Sequence, residues 1–182
     1  MIMFFIHNLY RKIMRKFLIV MMLWAISQGM ASAQGLTAYI TDVEGAYTNI
    51  RNAPKGKVVD KINTGWSVVV VLDDYQNGWW RIVGTPENAG EGVEITLAPS
   101  KTGHWIHYSV VGFGTRNYGG QQLALYSSPS SKASKVYTFT EEIILHPVGV
   151  KGDWIKVKTG DGKHTGWIEK EWICPNPMTN CN

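Results

Sequence analysis

The chain repeats itself, and this internal repeat constrains the fold more than any other feature of the sequence. Residues 50–54, IRNAP, align with residues 125–129, LYSSP, when the chain is shifted by 75 positions. The Trp-Ile pairs at residues 105–106 and 167–168 align only with a shift of 62. The sequence therefore predicts two related copies, with extra residues in the first copy between positions 83 and 105.

Each copy consists of short apolar runs separated by turn residues. β-Branched and aromatic residues fill the runs and helical periodicity is absent, so the runs are predicted to be strands. Strands this short, in a unit of roughly 60 residues, are typical of a small closed barrel. Three segments are predicted to be turns or connections: residues 73–78 as a turn in which Asp73-Asp74 is solvated, Asp161-Gly162 as a hairpin turn, and the glycine-rich residues 111–122 as the connection between the copies.

The first 33 residues have the layout of a secretory signal peptide. Arg15 and Lys16 precede an apolar run of about ten residues, which ends before Ala31-Ser32-Ala33. A membrane-spanning helix needs roughly 20 apolar residues, and this run is broken before that length. We therefore expect cleavage after Ala33, no stable membrane span afterwards, and export to the periplasm, the cell envelope or the medium.

Removal of this segment abolishes the basic character of the chain. The full sequence has 18 basic and 14 acidic residues, and residues 1–33 hold four of the basic ones and none of the acidic ones. The mature chain then carries 14 of each and no net charge. Its charge gives no support for nucleic-acid binding.

The order of the motifs resembles the bacterial SH3 (SH3b) domain. The first copy contains YTNIRNAP, GKVVDKINTGWSVVVV, NGWWRI and HWIHYSV, in the order of the family's LNVRSGPS, KVIGTLKKGTKVTV, GWYKV and GWVHSSYL. The second copy keeps GDWIKV and GWIEKEWI, but Tyr126 replaces the family's arginine and Thr140 its glycine. The resemblance implies an all-β chain of two small SH3-like β-barrels in tandem, residues 34–115 and 116–182.

Two adjacent tryptophans, Trp79 and Trp80, must point to opposite faces of their strand. Trp80 shares a face with Ile82, and Trp79 shares the other face with Arg81. The purely apolar face is predicted to be the core, so Trp80 points inward and Trp79 outward. The outward ring either covers core atoms at the end of the barrel or binds a ligand.

Several aromatic and polar residues of the first copy lie at or beside turns, where the loops of a rigid barrel usually make contacts. They form the predicted ligand-binding groove: Tyr47, Arg51, Trp66, Tyr75, Trp79, His107 and Tyr108. The insertion at residues 84–103 departs most from the family pattern, and its VEITL segment alternates like a strand. We expect part of it to form a hairpin arm that serves as a specificity loop or as a contact with the second barrel, unless it is simply flexible.

No catalytic or metal site is predicted. Cys174 and Cys181 both follow the last histidine, whereas cell-wall cysteine peptidases that carry SH3-like modules have cysteine before histidine. In an exported chain these cysteines are expected to form a disulfide. The odd spacing of His104 and His107 puts their rings on opposite faces of a strand, so they cannot bind one ion without a bulge. We therefore expect a protein that is not an enzyme and has no cofactor.

Two functions fit these features. The first is a binding module that recognises peptidoglycan peptides, or another extended peptide segment, through the aromatic groove. The second is an interaction or inhibitor protein that docks onto a secreted or periplasmic partner through the insertion loop. A contiguous groove near Trp79 favours the first function, and an apolar patch that includes the insertion favours the second.

Overall fold

A computed structural model describes residues 35–64, 67–179 and 181, and within these residues the chain is all-β. Fourteen strands form one antiparallel sheet, and the described residues contain two short 3-10 turns but no α-helix. In this part of the chain no helix has the length and apolar character needed to cross a membrane. The predicted signal peptide, residues 1–33, lies outside the described residues.

Two series of strands make up the sheet. The first half contains β1 Leu36–Ile40, β2 Tyr47–Arg51, β3 Val58–Asn63, β4 Val68–Gln76, β5 Trp79–Asn88, β6 Val93–Glu94, β7 His104–His107 and β8 Val111–Thr115. The second half contains β9 Leu123–Tyr126, β10 Lys135–Phe139, β11 Ile144–Lys151, β12 Trp154–Thr159, β13 Thr165–Glu169 and β14 Ile173–Cys174. The 3-10 turns, Tyr108–Val110 and Lys170–Trp172, precede β8 and β14. The strand order is β10-β9-β13-β12-β11-β8-β1-β4-β5-β7-β2-β3, with β6 paired to β5 and β14 to β8.

Alternation of apolar and polar residues gives most strands one buried face. In β12, Ile155 and Val157 are fully buried, whereas Lys156 between them is exposed. The inward side chains of both halves belong to one hydrophobic cluster, in which Phe113 of β8 is fully buried. The described residues therefore share a common core.

The strand pairing of the first half recurs in the second. β2 pairs with β3 and β7 in the same way that β9 pairs with β10 and β13. Trp80 lies opposite Ile106 between β5 and β7, and Ile155 lies opposite Ile168 between β12 and β13. These two residue pairs are related by the same shifts, 75 and 62 positions, that relate the repeats of the sequence. The division into two barrels at residue 115 stays a prediction, because the sheet is continuous across this point.

The prediction that all of residues 111–122 form a connection is wrong. Residues 111–115 are β8, which pairs with β1 of the first half and with β11 and β14 of the second. A Cβ at Gly112 would lie 2.7 Å from the carbonyl oxygen of Leu145. Gly112 therefore permits close packing of two strands rather than a turn.

The turn predicted for residues 73–78 is confirmed only for its last two residues. β4 continues to Gln76, and only Asn77 and Gly78 form the turn, with φ values of 50° and 90° that suit a two-residue hairpin. Asp73 is paired rather than simply solvated, because Arg81 donates to its two carboxylate oxygens at 2.9 and 2.7 Å. The second predicted turn, at Asp161-Gly162, is confirmed as the connection between β12 and β13.

Candidate binding site

The β4–β5 hairpin places the adjacent tryptophans on opposite faces. Trp80 is 3% exposed and lies in the core. Trp79 is half-buried on the outer face of β5, which also carries Arg81. The prediction that Trp80 points inward and Trp79 outward is confirmed.

Two polar side chains flank the outward ring of Trp79. The register of β5 and β7 puts Trp79 opposite His107, whose ring centroid lies 5.0 Å from that of Trp79 in an edge-on arrangement. Arg51 ends β2, which also pairs with β7, and its guanidinium carbon lies 5.5 Å from the centre of the indole. A hydrogen bond of 2.7 Å from Arg51 Nη1 to the carbonyl oxygen of Gly56 holds the guanidinium in place. The ring of Trp79 is therefore an aromatic plate with a cation over one face.

The contacts continue from Trp79 toward the second half of the sheet. The ring centroids of His107 and Tyr108 are 4.7 Å apart. Lys158 Nζ lies 5.5 Å from the centre of the Tyr108 ring and 3.4 Å from its hydroxyl oxygen. We call the series Arg51, Trp79, His107, Tyr108 and Lys158 the aromatic strip. It has a cation at each end and three rings between them.

The middle of the strip is uncharged near neutral pH. Burial lowers the pKa of His107, which favours the neutral imidazole. Nδ1 of His107 lies 2.8 Å from the hydroxyl oxygen of Ser109, and the backbone amide of Ser109 donates to the same nitrogen at 3.4 Å. Burial and, secondarily, the nearby Tyr108 raise the pKa of Tyr75, so this phenol also stays neutral.

The structure brings together four of the seven predicted groove residues: Arg51, Trp79, His107 and Tyr108. Tyr75 lies behind them, with its ring centroid 4.9 Å from that of the buried Trp80. Tyr47 lies four residues before Arg51 on β2, which places it about 13 Å away along the strand. It is 54% exposed, and its only described ring contact is with Lys61. Trp66 lies outside the described residues.

Comparison with known families identifies part of the chain. Residues 122–173 match the family model described as the bacterial SH3 domain. The chain contains a bacterial SH3 domain. This domain family often serves for binding in the cell envelope. No curated protein matches the chain. The matched segment includes Lys158, whereas the other four residues of the aromatic strip precede it.

The bacterial SH3 domain keeps the tryptophan but replaces the arginine. The shift of 75 positions relates Arg51 to Tyr126 and Trp79 to Trp154. The rings of Tyr126 and Trp154 contact edge to face, with their centroids 5.6 Å apart. Glu169 corresponds to His107, and burial followed by the neighbouring Glu171 raises the pKa of its carboxyl. This domain therefore keeps the outward tryptophan but has neither the cation nor the imidazole beside it.

Sequence reasoning did not identify Lys158 or the pair of Tyr137 and His164, whose rings stack 3.9 Å apart. Lys158 contacts Tyr108 from 50 positions away in the chain. The alternation along β12 indicates that Lys158 lies on the same outward face as Trp154 and Lys156. It does not indicate that Tyr108, in the other half of the sheet, lies next to Lys158.

Part of the insertion at residues 84–103 forms the predicted hairpin arm, because β5 extends to Asn88 and pairs with β6. Only Val93 and Glu94 of VEITL are in a strand. The following residues return along the first half, where the backbone amide of Ala98 donates to Asp60 and Thr102 Oγ1 donates to the carbonyl oxygen of Asn52 at 2.6 Å. The residues that follow the arm are therefore fastened to the first half near β2 and β3.

The predicted disulfide between Cys174 and Cys181 is confirmed, and it closes the C-terminal loop. The disulfide and the bacterial SH3 domain together point to an extracellular protein. A cavity of about 400 Å³ lies beside the start of this loop and is lined by residues that include Leu36, Lys170 and Ile173. None of the predicted groove residues lines it, so the aromatic strip is a surface site separate from this cavity.

Proposed function

We propose that the protein is a non-catalytic, exported binding protein that recognises peptidoglycan peptides through the aromatic strip. Residues 1–33 act as a cleaved signal peptide in this proposal. Residues 34–115 form a second SH3-like barrel beside the bacterial SH3 domain. The recurrence of the strand pairing and of its register supports this domain arrangement.

The observation that carries the proposal is the arrangement of Arg51 and His107 around the outward Trp79. A half-buried indole offers a flat apolar surface for a peptide or sugar ring, at little cost in conformational entropy. Arg51 uses one of its donors for Gly56 and has others to offer a carboxylate or carbonyl group. An apolar ring in contact with a fixed donor is suited to binding an extended peptide.

The first half is a better candidate for this role than the bacterial SH3 domain. Tyr126 replaces Arg51, and a phenol binds a carboxylate less strongly than a guanidinium does. Glu169 replaces His107, and its carboxylate form repels an anionic ligand. Trp154 therefore provides a matched control for Trp79, because it is an outward tryptophan at the corresponding position without the same neighbours.

The proposal is tested by sedimentation with purified peptidoglycan sacculi. The compact unit that remains without the first 33 residues, Gln34–Asn182, is compared with its Trp79→Ala and Trp154→Ala variants, each checked for folding by circular dichroism. Loss of a central aromatic contact lowers the binding free energy by about 2 kcal/mol or more. Trp79→Ala is therefore expected to weaken binding to the sacculi roughly 30-fold. Trp154→Ala is expected to bind like the wild type. Absence of wild-type binding, or equal binding by the Trp79→Ala variant, would contradict the proposal.

One observation favours the second candidate function, docking onto a secreted or periplasmic protein. Val93 in the insertion arm and Met178 in the disulfide loop are 52% and 54% exposed. A Cβ at Gly90, in the turn of the arm, would lie 3.9 Å from Met178 Cε, so the arm and the loop are neighbours. Exposed apolar residues in adjacent loops are a feature of protein-binding surfaces.

The double variant Val93→Ser/Met178→Ser separates the two functions. Under the peptidoglycan proposal it binds sacculi like the wild type. Under the docking alternative, the wild type binds no sacculi, and the double variant loses its complex with the partner protein. Sacculus binding that requires Val93 and Met178 but not Trp79 would reject the aromatic strip as the binding site.

A further inference from the structure

We infer that the aromatic strip recognises two acidic groups of a single ligand, one at Arg51 and one at Lys158. The ligand would be a short extended peptide with carboxylates near both ends and an apolar or cyclic part between them. It would contact both halves of the sheet at once. This inference rests on the proposed function and specifies the ligand class for the same site.

The Arg51 end of the strip has an uncompensated positive charge. The ion pairs within the described residues are Arg81 with Asp73 and Lys163 with Asp161, and neither involves Arg51. The one described hydrogen bond of its side chain is to the neutral carbonyl of Gly56. The guanidinium lies over the ring of Trp79, and a planar guanidinium in such a contact keeps donors at its edge for a carboxylate.

The Lys158 end has the same property. The described contacts of its ammonium group are with the ring and the hydroxyl of Tyr108. The residue opposite Lys158 on β11 is His146, whose Nδ1 is 2.8 Å from the carbonyl oxygen of Val111. No carboxylate forms an ion pair with Lys158 among the described residues. A half-buried ammonium with three donors and no anionic partner can bind an incoming anion.

The separation of the two cations limits the length of the ligand. The contacts from Arg51 through the three rings to Lys158 follow a path of at most roughly 20 Å, the length of about six extended residues. The rings of Trp79, His107 and Tyr108 provide no permanent charge along this path. A ligand that places a further charge in the middle would lose hydration there without gaining a partner.

The inference is tested with two preparations of sacculi, one native and one with its carboxyl groups converted to amides by carbodiimide and ammonia. The wild type, Arg51→Gln and Lys158→Gln are compared by sedimentation at two salt concentrations, with folding checked by thermal unfolding. Each substitution is expected to weaken binding to native sacculi about tenfold, the effect of one lost charge-assisted hydrogen bond. Amidation is expected to weaken wild-type binding by more than either substitution.

Three controls make the result specific. Lys132→Gln removes an exposed charge from the loop between β9 and β10 and is expected to bind like the wild type. Lys158→Arg keeps the charge and is expected to retain most of the binding. The double variant Arg51→Gln/Lys158→Gln is expected to bind native and amidated sacculi equally.

The possible outcomes distinguish this inference from the proposed function. If the wild type binds sacculi, Trp79→Ala weakens binding, and the two charge variants bind normally, the inference is wrong but the proposed function stands. Equal wild-type binding to native and amidated sacculi leads to the same conclusion. If the wild type binds neither preparation, the proposed function fails, and the inference fails with it.

Discussion

Trp80 and Pro147 connect the two halves of the sheet through a buried hydrogen bond. The indole Nε1–H of Trp80 donates to the carbonyl oxygen of Pro147 at 2.8 Å, across 67 positions of sequence. Pro147 lies in β11, where the register with β12 shifts immediately afterwards, and such bulges commonly redirect backbone groups. Trp80, the residue that follows Trp79 in the chain, therefore links the two halves of the sheet.

Replacing Trp80 with phenylalanine should destabilise the whole protein. The substitution leaves the carbonyl of Pro147 buried without its donor and also creates a small void, which together lower the free energy of unfolding by about 2 kcal/mol or more. Trp79→Phe, on the outer face, should change it by less than about 1 kcal/mol. Urea unfolding of both variants measures the difference. Equal midpoints for Trp80→Phe and the wild type would show that this hydrogen bond does not stabilise the structure.

The two glycines of β8 should differ in their tolerance of alanine. A Cβ at Gly112 would meet the carbonyl oxygen of Leu145 at 2.7 Å, whereas the nearest atom to a Cβ at Gly114 is Tyr39 Oη at 3.8 Å. Gly112→Ala should therefore lower the free energy of unfolding by about 1 to 3 kcal/mol, the usual cost of overpacking. Gly114→Ala should be neutral or slightly stabilising. A destabilisation of similar size in both variants would contradict the close approach of β8 and β11.

Stability should fall in mild acid because of His107. Burial lowers the pKa of its imidazole below the ordinary value of 6.5, so the unfolded chain binds the proton more readily than the folded protein does. The contribution of neutral His107 to the free energy of unfolding is complete above pH 6.5, and it is lost as the pH falls through the folded-state pKa of His107. The free energy of unfolding, measured from pH 8 to pH 5, should fall less steeply in His107→Asn than in the wild type. Identical slopes would exclude His107 as a source of the pH dependence.

The disulfide should contribute measurably to stability. Cys174 and Cys181 close a loop with a sequence separation of 7, which in the loop-entropy model is worth about 2.5 kcal/mol. For a domain of this size, Cys181→Ala should lower the melting temperature by roughly 5 to 10 °C. Differential scanning calorimetry with and without a reducing agent measures the effect. A wild-type protein that melts at the same temperature after complete reduction would contradict this assignment.

Sequence reasoning succeeded where local alternation determines the structure. Neighbouring residues of a strand point to opposite sides, so the alternation of apolar and polar residues predicts Trp80 and Ile155 in the core and Trp79 on the outer face. The structure has them there. The prediction of a turn at Asp73 is wrong because Arg81, across the hairpin, stabilises this carboxylate and β4 continues through it. The local sequence shows that Asp73 is polar but does not show that Arg81 pairs with it.

Other features depend on contacts between distant segments. The sequence predicts a connection at Gly112 because glycine is common in turns, but in the structure this glycine allows Leu145 to approach from another strand. The sequence does not indicate the role of Lys158, because its partner Tyr108 belongs to the other half of the sheet. The four clustered groove residues were predicted from their positions beside turns, whereas the isolation of Tyr47 follows from its distance along β2.

The measurement that tests the central claim most directly is a ¹⁵N NMR titration of the protein without residues 1–33, using soluble peptidoglycan peptides. Ligand binding at the aromatic strip should shift the indole signal of Trp79 and the backbone signals of Arg51 and His107. The indole signal of Trp80, which is hydrogen-bonded in the core, should move much less. Shifts confined to the insertion arm or to the bacterial SH3 domain, or no shifts at all, would contradict the account.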